Sequence, residues 1–144
     1  MKKTFILFSC FFLLAATTFA YPPNEKVLKS FQIIVSNPRE VKWFDHANYY
    51  EVSFIQTDVR STVKFDLEGN FISSTRYYKE QQLPTSILYK LKKGYAGKHI
   101  FGVTELTTNE DVHYYVKLED DKNWFIIKVN GNGQMELSEK YRKA

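Results

Sequence analysis

The sequence predicts an α+β fold, a tandem repeat of one helix plus a four-stranded antiparallel meander, with the helices packed on one face of the sheet. Three observations predict it. First, the stretch Tyr49 to Tyr78 returns 64 residues later, so that Tyr50 falls on Tyr114, Val52 on Val116, Phe54 on Leu118, Val63 on Ile127, Phe65 on Val129, Gly69 on Gly133, Phe71 on Met135 and Tyr77 on Tyr141. Second, the matched positions alternate within each strand, while those between them diverge: Tyr49 faces His113, Glu51 faces Tyr115, Arg60 faces Trp124 and Tyr78 faces Arg142. Alternation is the period of a strand, so one side of each strand is kept for packing. Third, the apolar stripe Val27, Leu28, Phe31 and Val35 has helical spacing and returns at an offset of 60 as Ile87, Leu88, Leu91 and Tyr95.

Each element has a local reason. Asn24 is a helix N-cap with Glu25 in the first turn, where negative charge is favoured, and the helix ends near Asn37-Pro38 because proline disfavours the helical conformation before it. Strands are expected over Val41–Phe44, Tyr49–Gln56, Arg60–Asp66 and Phe71–Tyr78, with Gly69 supplying the positive φ of the tight Asp66–Asn70 connection. Pro84 opens the second helix at a position where its missing N–H costs nothing. Strands near Ile100–Leu106, Val112–Leu118, Trp124–Val129 and Met135–Arg142 follow. The short connections require antiparallel pairing, since parallel strands need long crossovers. The expected organisation is a leader over 1–20, a first helix–meander repeat over 21–82 and a second over 83–144, joined only by Glu80-Gln81-Gln82. So short a join predicts sheets that are continuous or nearly so.

The leader reading rests on Lys2 and Lys3, the apolar run Phe5 to Ala16, and the small-x-small pattern Thr18-Phe19-Ala20. It predicts a periplasmic or secreted protein with no stable membrane insertion after cleavage. Two rival readings are a retained anchor, for which the apolar run is short, and a lipid-modified Cys10, for which Phe8 is bulky. Cleavage removes the only cysteine, so the core must hold the fold without disulfides. The formal charge of +4 falls to about +2 once Lys2 and Lys3 leave, too little to argue for nucleic acid. Aromatic residues make up 17% of the chain, with ten tyrosines, a density that suits half-buried sheets and binding surfaces alike.

Taken together, Asn37-Pro38 followed by Val41 and Trp43, then Tyr50-Glu51-Val52-Ser53-Phe54, Val63-Lys64-Phe65-Asp66 with Gly69-Asn70, and Leu83-Pro84 give a pattern. In the second half Gly94 to Ile100, Tyr114-Tyr115-Val116 and Gly133 fill the corresponding places. In order and spacing the chain resembles the secreted PepSY-like family, also described as beta-lactamase-inhibitor-protein-like. That resemblance implies tandem units whose helices pack behind an antiparallel sheet with an open second side, the side on which inhibitors of similar architecture hold another protein. It implies no established activity. Asn130 stands where the family's turn has an aspartate.

An enzymatic reading finds little to work with. Residues 21–144 contain no cysteine and no Gly-x-Ser-x-Gly, and His46, His99 and His113 have no metal-ligand spacing. The two glycine turns lack the alternating ligands and closing glutamate of a calcium loop. No catalytic residue, metal or cofactor is expected. The divergent face offers more: Tyr49, Arg60, Arg76 and Tyr78 from the first unit, and His113, Tyr115, Trp124 and Lys128 from the second, are the expected binding residues. Glu51, Thr62, Lys64, Lys117, Ile126, Lys140 and Arg142 are expected beside them. Tyrosine, tryptophan and arginine carry binding energy often, because they combine large area with a polar handle. An ordinary solvated sheet face would show some of the same residues, tyrosine and threonine being good strand formers. The expectation is a non-enzymatic protein that presents this face to an unidentified protein or peptide, inhibition being one form such binding takes, with a basic face favouring an acidic complement. A small-ligand-binding or envelope-sensing protein is the alternative.

Overall fold

The computed structural model describes residues 22–144, so the leader, its cleavage pattern and Cys10 lie outside the described residues. Helix α1 runs Glu25–Ile34. The Asn24 side chain accepts from the Val27 amide at 3.1 Å and donates to the Leu67 carbonyl at 2.8 Å, which caps the helix and ties it to a hairpin turn. Four strands follow, β1 (Arg39–Asp45), β2 (Tyr49–Gln56), β3 (Val59–Asp66) and β4 (Phe71–Tyr78). A 3₁₀ turn, Glu80–Gln82, leads to α2 (Thr85–Gly94), then β5 (His99–Thr108), β6 (Val112–Glu119), β7 (Asn123–Asn130) and β8 (Met135–Arg142). Among the described residues no helix is long and apolar enough to cross a membrane.

The strands do not form two four-stranded meander units, and the expected tandem α+β repeat is corrected on that point. They make one eight-stranded antiparallel sheet in the order β1 to β8, with only two short helices, so the fold is mostly β. The joint is the β4–β5 pair, in register from Ser73↔Thr108 to Tyr78↔Val103. Left unpaired, β4 and β5 would each present a row of open N–H and C=O groups, and pairing them satisfies both rows at once. Hydrophobic alternation specifies which side of a strand is buried; it does not say which strand its edge meets.

In-register neighbours share a face, and the pairs Val52↔Val63, Tyr78↔Val103, Val103↔Val116 and Val116↔Ile127 carry a buried row along the sheet. Val27 and Phe31 of α1 pack on Val52, Phe54, Val63 and Phe65. Ile87 and Leu91 of α2 pack on Val103, Val116, Leu118, Phe125, Ile127 and Val129. Both helices therefore cover one side. Phe31 meets Trp43 and Phe54 edge to face, each at 5.3 Å between ring centres.

Side-chain acceptors close the turns. Asp66 accepts from the Glu68 and Asn70 amides at 3.0 and 2.8 Å, and Asp120 accepts from the Lys122 and Asn123 amides at 2.9 and 2.8 Å. Asn130 accepts in the same way from Asn132 and Gln134, at 3.1 and 3.0 Å, so the amide replaces the carboxylate without loss of the turn. Gly69 has φ 87°, and a Cβ there would lie 3.0 Å from the Lys26 backbone, so both conformation and the approach of α1 require glycine.

The two packed regions share one sheet, so Phe65→Ala and Leu118→Ala should each lower the midpoint of a single unfolding transition. The expected loss is about 3–5 kcal/mol for Phe65→Ala and about 2–5 kcal/mol for Leu118→Ala. Denaturant titration followed by circular dichroism checks this, and two resolved transitions would contradict it. The carboxylates also set an acid limit. Hydrogen bonds, from the Lys122 amide above all, hold Asp120 down to about 2, and the Asn70 side chain and amide hold Asp66 low. In the unfolded chain both titrate near their ordinary 3.8. Their contribution is therefore complete above about pH 4 and is lost as pH falls toward 2. Melting temperature should drop across that window, and Asp120→Asn should flatten the drop.

Candidate functional site

With both helices on one side, the other side of the sheet is uncovered. Of the four irregularities in the sheet, one lies in β1 between Arg39 and Lys42, and the three in β4, β5 and β8 decide which residues occupy the uncovered side around its groove. Phe65 pairs with Phe71 while Lys64 pairs with Ser73, so Ile72 is an extra residue in β4. Phe101 is extra in β5 and Ser138 in β8. Each bulge reverses the inward–outward alternation beyond it. As a result Tyr77 and Tyr141, matched in the sequence as packing residues, are 49% and 42% exposed, and they share the uncovered face with their partners Arg60 and Trp124. Lys140 moves the other way, its ammonium 5.4 Å from the Phe125 ring beneath the helices.

The same reversal corrects the expected face of Arg76 and Tyr78. Both lie on the helix side. Tyr78 is only 7% exposed and belongs to the core around α2. Its hydroxyl donates to Glu105, which also accepts from Arg76 at 3.1 Å and is itself 12% exposed. Burial first, and then the Glu105 hydrogen bond, push the Tyr78 hydroxyl well above the usual tyrosine range. The Arg76–Glu105–Tyr78 group is thus a polar tie within the covered side, next to Tyr114.

Arg142 likewise moves to the helix side, paired with Asn123 beyond the Ser138 bulge, and the remaining expected residues lie on the uncovered face. Arg60, Tyr77, Thr104, Tyr115, Lys128 and Glu136 form one cross-strand row from β3 to β8. The register therefore places Arg60, Tyr115 and Lys128 in line, with Arg60 lying 3.7 Å from Glu40. The next row contains Gly102, Lys117, Ile126 and Glu139, and the one after it Glu119, Trp124 and Tyr141. His113 sits in the row on the opposite flank, paired with Leu106 and Asn130, and its Nδ1 is buried without a hydrogen-bond partner among the described residues. Tyr49 is remote from this group, near the β1–β2 turn, where it stacks on His46 at 4.3 Å and lies 5.0 Å from the Lys64 ammonium.

Between these rows the face opens into a groove of about 810 Å³, lined by Tyr77, Phe101, Thr104, Tyr115, Lys117 and Ile126 among others. Aromatic rings gather at one side of it. Phe101 meets Trp124 edge to face at 5.0 Å, and the ammonium of the half-buried Lys117 lies 4.1 Å from the Trp124 ring centre, 5.3 Å from Phe101 and 5.8 Å from Tyr141. Contacts of this kind contribute about 0.5–2 kcal/mol each, depending on desolvation. Lys79 reaches Phe101 from elsewhere, 4.7 Å from its ring centre, while donating to its carbonyl at 2.6 Å. Tyr77, Phe101 and Tyr141 are the residues that period-two reading of the sequence misses. Each lies at or beyond a bulge, and no residue pattern in β4, β5 or β8 announces one.

No family model matches the chain, and no curated protein matches its sequence. Solved structures do match its fold. A BLIP-like protein from Bacteroides fragilis is similar at TM-score 0.64 and 18% identity, with 87% of this chain and 89% of that one covered. A DUF2874 family protein from Bacteroides ovatus is similar at TM-score 0.62 and 16% identity, over 85% and 89% of the two chains. A protein from Bacteroides eggerthii, assigned provisionally to the periplasm, is similar at TM-score 0.61 and 11% identity, over 85% and 90%. The chain therefore has the BLIP-like fold, and the PepSY-like part of the sequence resemblance remains an expectation. At these identities the likeness is one of fold.

Glu105→Ala would leave the Tyr78 hydroxyl and Arg76 without their shared acceptor. It should destabilise the fold by about 1–3 kcal/mol in denaturant titration, the cost of unsatisfied partly buried polar groups. Trp124 lies on the uncovered side of the sheet, so its environment, read by its fluorescence, should not change.

Proposed function

We propose that the chain is a non-enzymatic periplasmic protein that uses the uncovered sheet face to bind a protein or peptide, with inhibition of that partner as one consequence. The observation that carries this reading is the groove: a place where Tyr77, Phe101, Tyr115 and Ile126 stay accessible on a sheet whose other side already buries the core. Aromatic side chains around a cleft, ringed by lysine and arginine, have the composition of an interface centre and its rim. The sequence supports export through Lys2, Lys3, the apolar run to Ala16 and the Thr18-Phe19-Ala20 pattern. The provisional periplasmic assignment of the Bacteroides eggerthii neighbour supports it as well. The non-enzymatic reading rests on the missing nucleophile–base pair in the sequence and on the fold of the BLIP-like neighbour.

A second reading has one observation in its favour. The groove's 810 Å³ falls in the usual range for small-ligand sites, so a small-ligand or envelope-sensing role would use the same walls.

The two readings separate in one experiment. Partners captured from a periplasmic extract by the wild-type chain should be lost when Tyr115→Ala and Trp124→Ala are combined, with affinity for the isolated partner down at least about tenfold. Undiminished binding by the double variant would show that the face is wrong. A thermal shift with a small molecule and no protein retained would favour the second reading.

A further inference from the structure

We infer that Lys117 and the rings around it form a carboxylate-reading subsite, and that the groove takes a protein segment carrying an aspartate or glutamate next to an apolar side chain. The inference rests on the protein-binding reading above and gives the partner its chemistry.

Lys117 differs from the paired cations on its side of the sheet, and also from Lys42 and Lys128, which among the described residues have neither a carboxylate at ion-pair distance nor a ring beneath the ammonium. Arg60 has Glu40 at 3.7 Å, Lys64 has Glu51 at 3.5 Å and Lys143 has Glu119 at 2.6 Å. Among the described residues, Lys117 has neither a carboxylate within ion-pair distance nor a hydrogen-bond acceptor, although it is half-buried. Trp124, Phe101 and Tyr141 surround its ammonium with ring faces instead. Ring faces hold a cation in position and shield it from water, but they leave its charge and its three N–H donors without an anion. An ammonium fixed and partly desolvated in this way attracts an incoming carboxylate more strongly than a lysine free in solvent, because the screening is already reduced.

The surroundings add to that charge. Lys79 brings a second ammonium to Phe101 in the same groove. The one carboxylate lining the groove is Asp58, and it is committed to Arg39 at 2.6 Å. Glu119, the cross-strand partner of Trp124, is committed to Lys143 and to His99 at 3.1 Å. Lys143, in its turn, lies 4.7 Å from the Trp124 ring centre. The residues lining the groove are therefore net positive, and Glu139, two strands away in the Lys117 row, lies beyond ion-pair distance of that ammonium. Beside Lys117, its strand neighbours Tyr115 and Ile126 offer an apolar wall within the same pocket. A carboxylate alone would leave that wall wet, and an apolar side chain alone would bury the ammonium unpaired. A segment carrying both satisfies both.

The test uses a random peptide display library selected against the purified chain, followed by titration of synthetic versions of the enriched peptides. The expected result is enrichment of Asp or Glu adjacent to Leu, Ile or Phe. Replacing that acid by its amide in the peptide should weaken binding at least about tenfold to the wild-type chain, by the ordinary strength of a charge-assisted contact. The same replacement should have no effect on Lys117→Met, while Lys64→Met keeps wild-type affinity. Thermal melts of both variants confirm that they fold. Peptides that depend on Tyr115 and Trp124 but bind Glu and Gln forms equally would overturn the subsite and leave the binding face standing. Peptides indifferent to Lys117→Met and to the Tyr115→Ala, Trp124→Ala pair would overturn both. Failure to enrich any peptide, with citrate instead raising the melting temperature in a Lys117-dependent way, would replace the protein segment by a small anion.

Discussion

Backbone pairing between Phe71–Tyr78 and His99–Thr108 is the constraint on which the rest of the molecule depends. It joins strands from the two halves of the chain into one sheet and fixes their relative register, so that the residues beneath α1 and those beneath α2 fall on the same side. Tyr78 belongs to this joint in two ways, through its pairing with Val103 and through its hydroxyl on Glu105. A displaced register would turn every side chain beyond it to the opposite face, and the core around α2 would not form.

One-sided cover has a direct consequence for function. Two ten-residue helices supply the apolar surface for one side of eight strands, and nothing among the described residues supplies it for the other. The uncovered side must therefore be wettable where it is flat, and it is: Thr62, Thr75 and Thr104 lie there, with Lys64 and Arg60 paired to nearby carboxylates. Around Lys117 that solution is abandoned in favour of rings and an ammonium without an anion. The contrast between a balanced part of the face and an unbalanced one is what marks the groove.

Much of the core was legible. Tyr50, Val52, Phe54, Val63, Phe65, Val116, Leu118, Ile127 and Val129 were picked out by alternation, and all are buried except Tyr50, which is partly buried against the core beneath α1. Alternation is a physical requirement of a half-covered sheet, so it survives in the sequence wherever a strand is regular. The site was legible in part for the same reason. Tyr115, Trp124 and Lys128 sit on regular stretches of β6 and β7 and lie on the side expected of them. Arg76 and Tyr78 lie beyond the Ile72 bulge and do not. Phe101 is itself a bulge residue and could not be assigned a side by counting.

By itself, then, the sequence determined the strands, the two helix stripes, the glycine turns and the buried alternation, because each depends on residues close together in the chain. The short Glu80–Gln82 join also led to the expectation of a continuous or nearly continuous sheet, which the eight-stranded order bears out. Tertiary structure alone decided the β4–β5 register through which the halves join, and that Tyr77, Phe101 and Tyr141 reach the uncovered face while Arg76 and Tyr78 do not. It alone placed Lys117 among rings contributed by three other strands. The physical reason is that strand edges and bulges are settled by hydrogen bonding between distant segments, and the backbone groups that make those bonds are the same in nearly every residue.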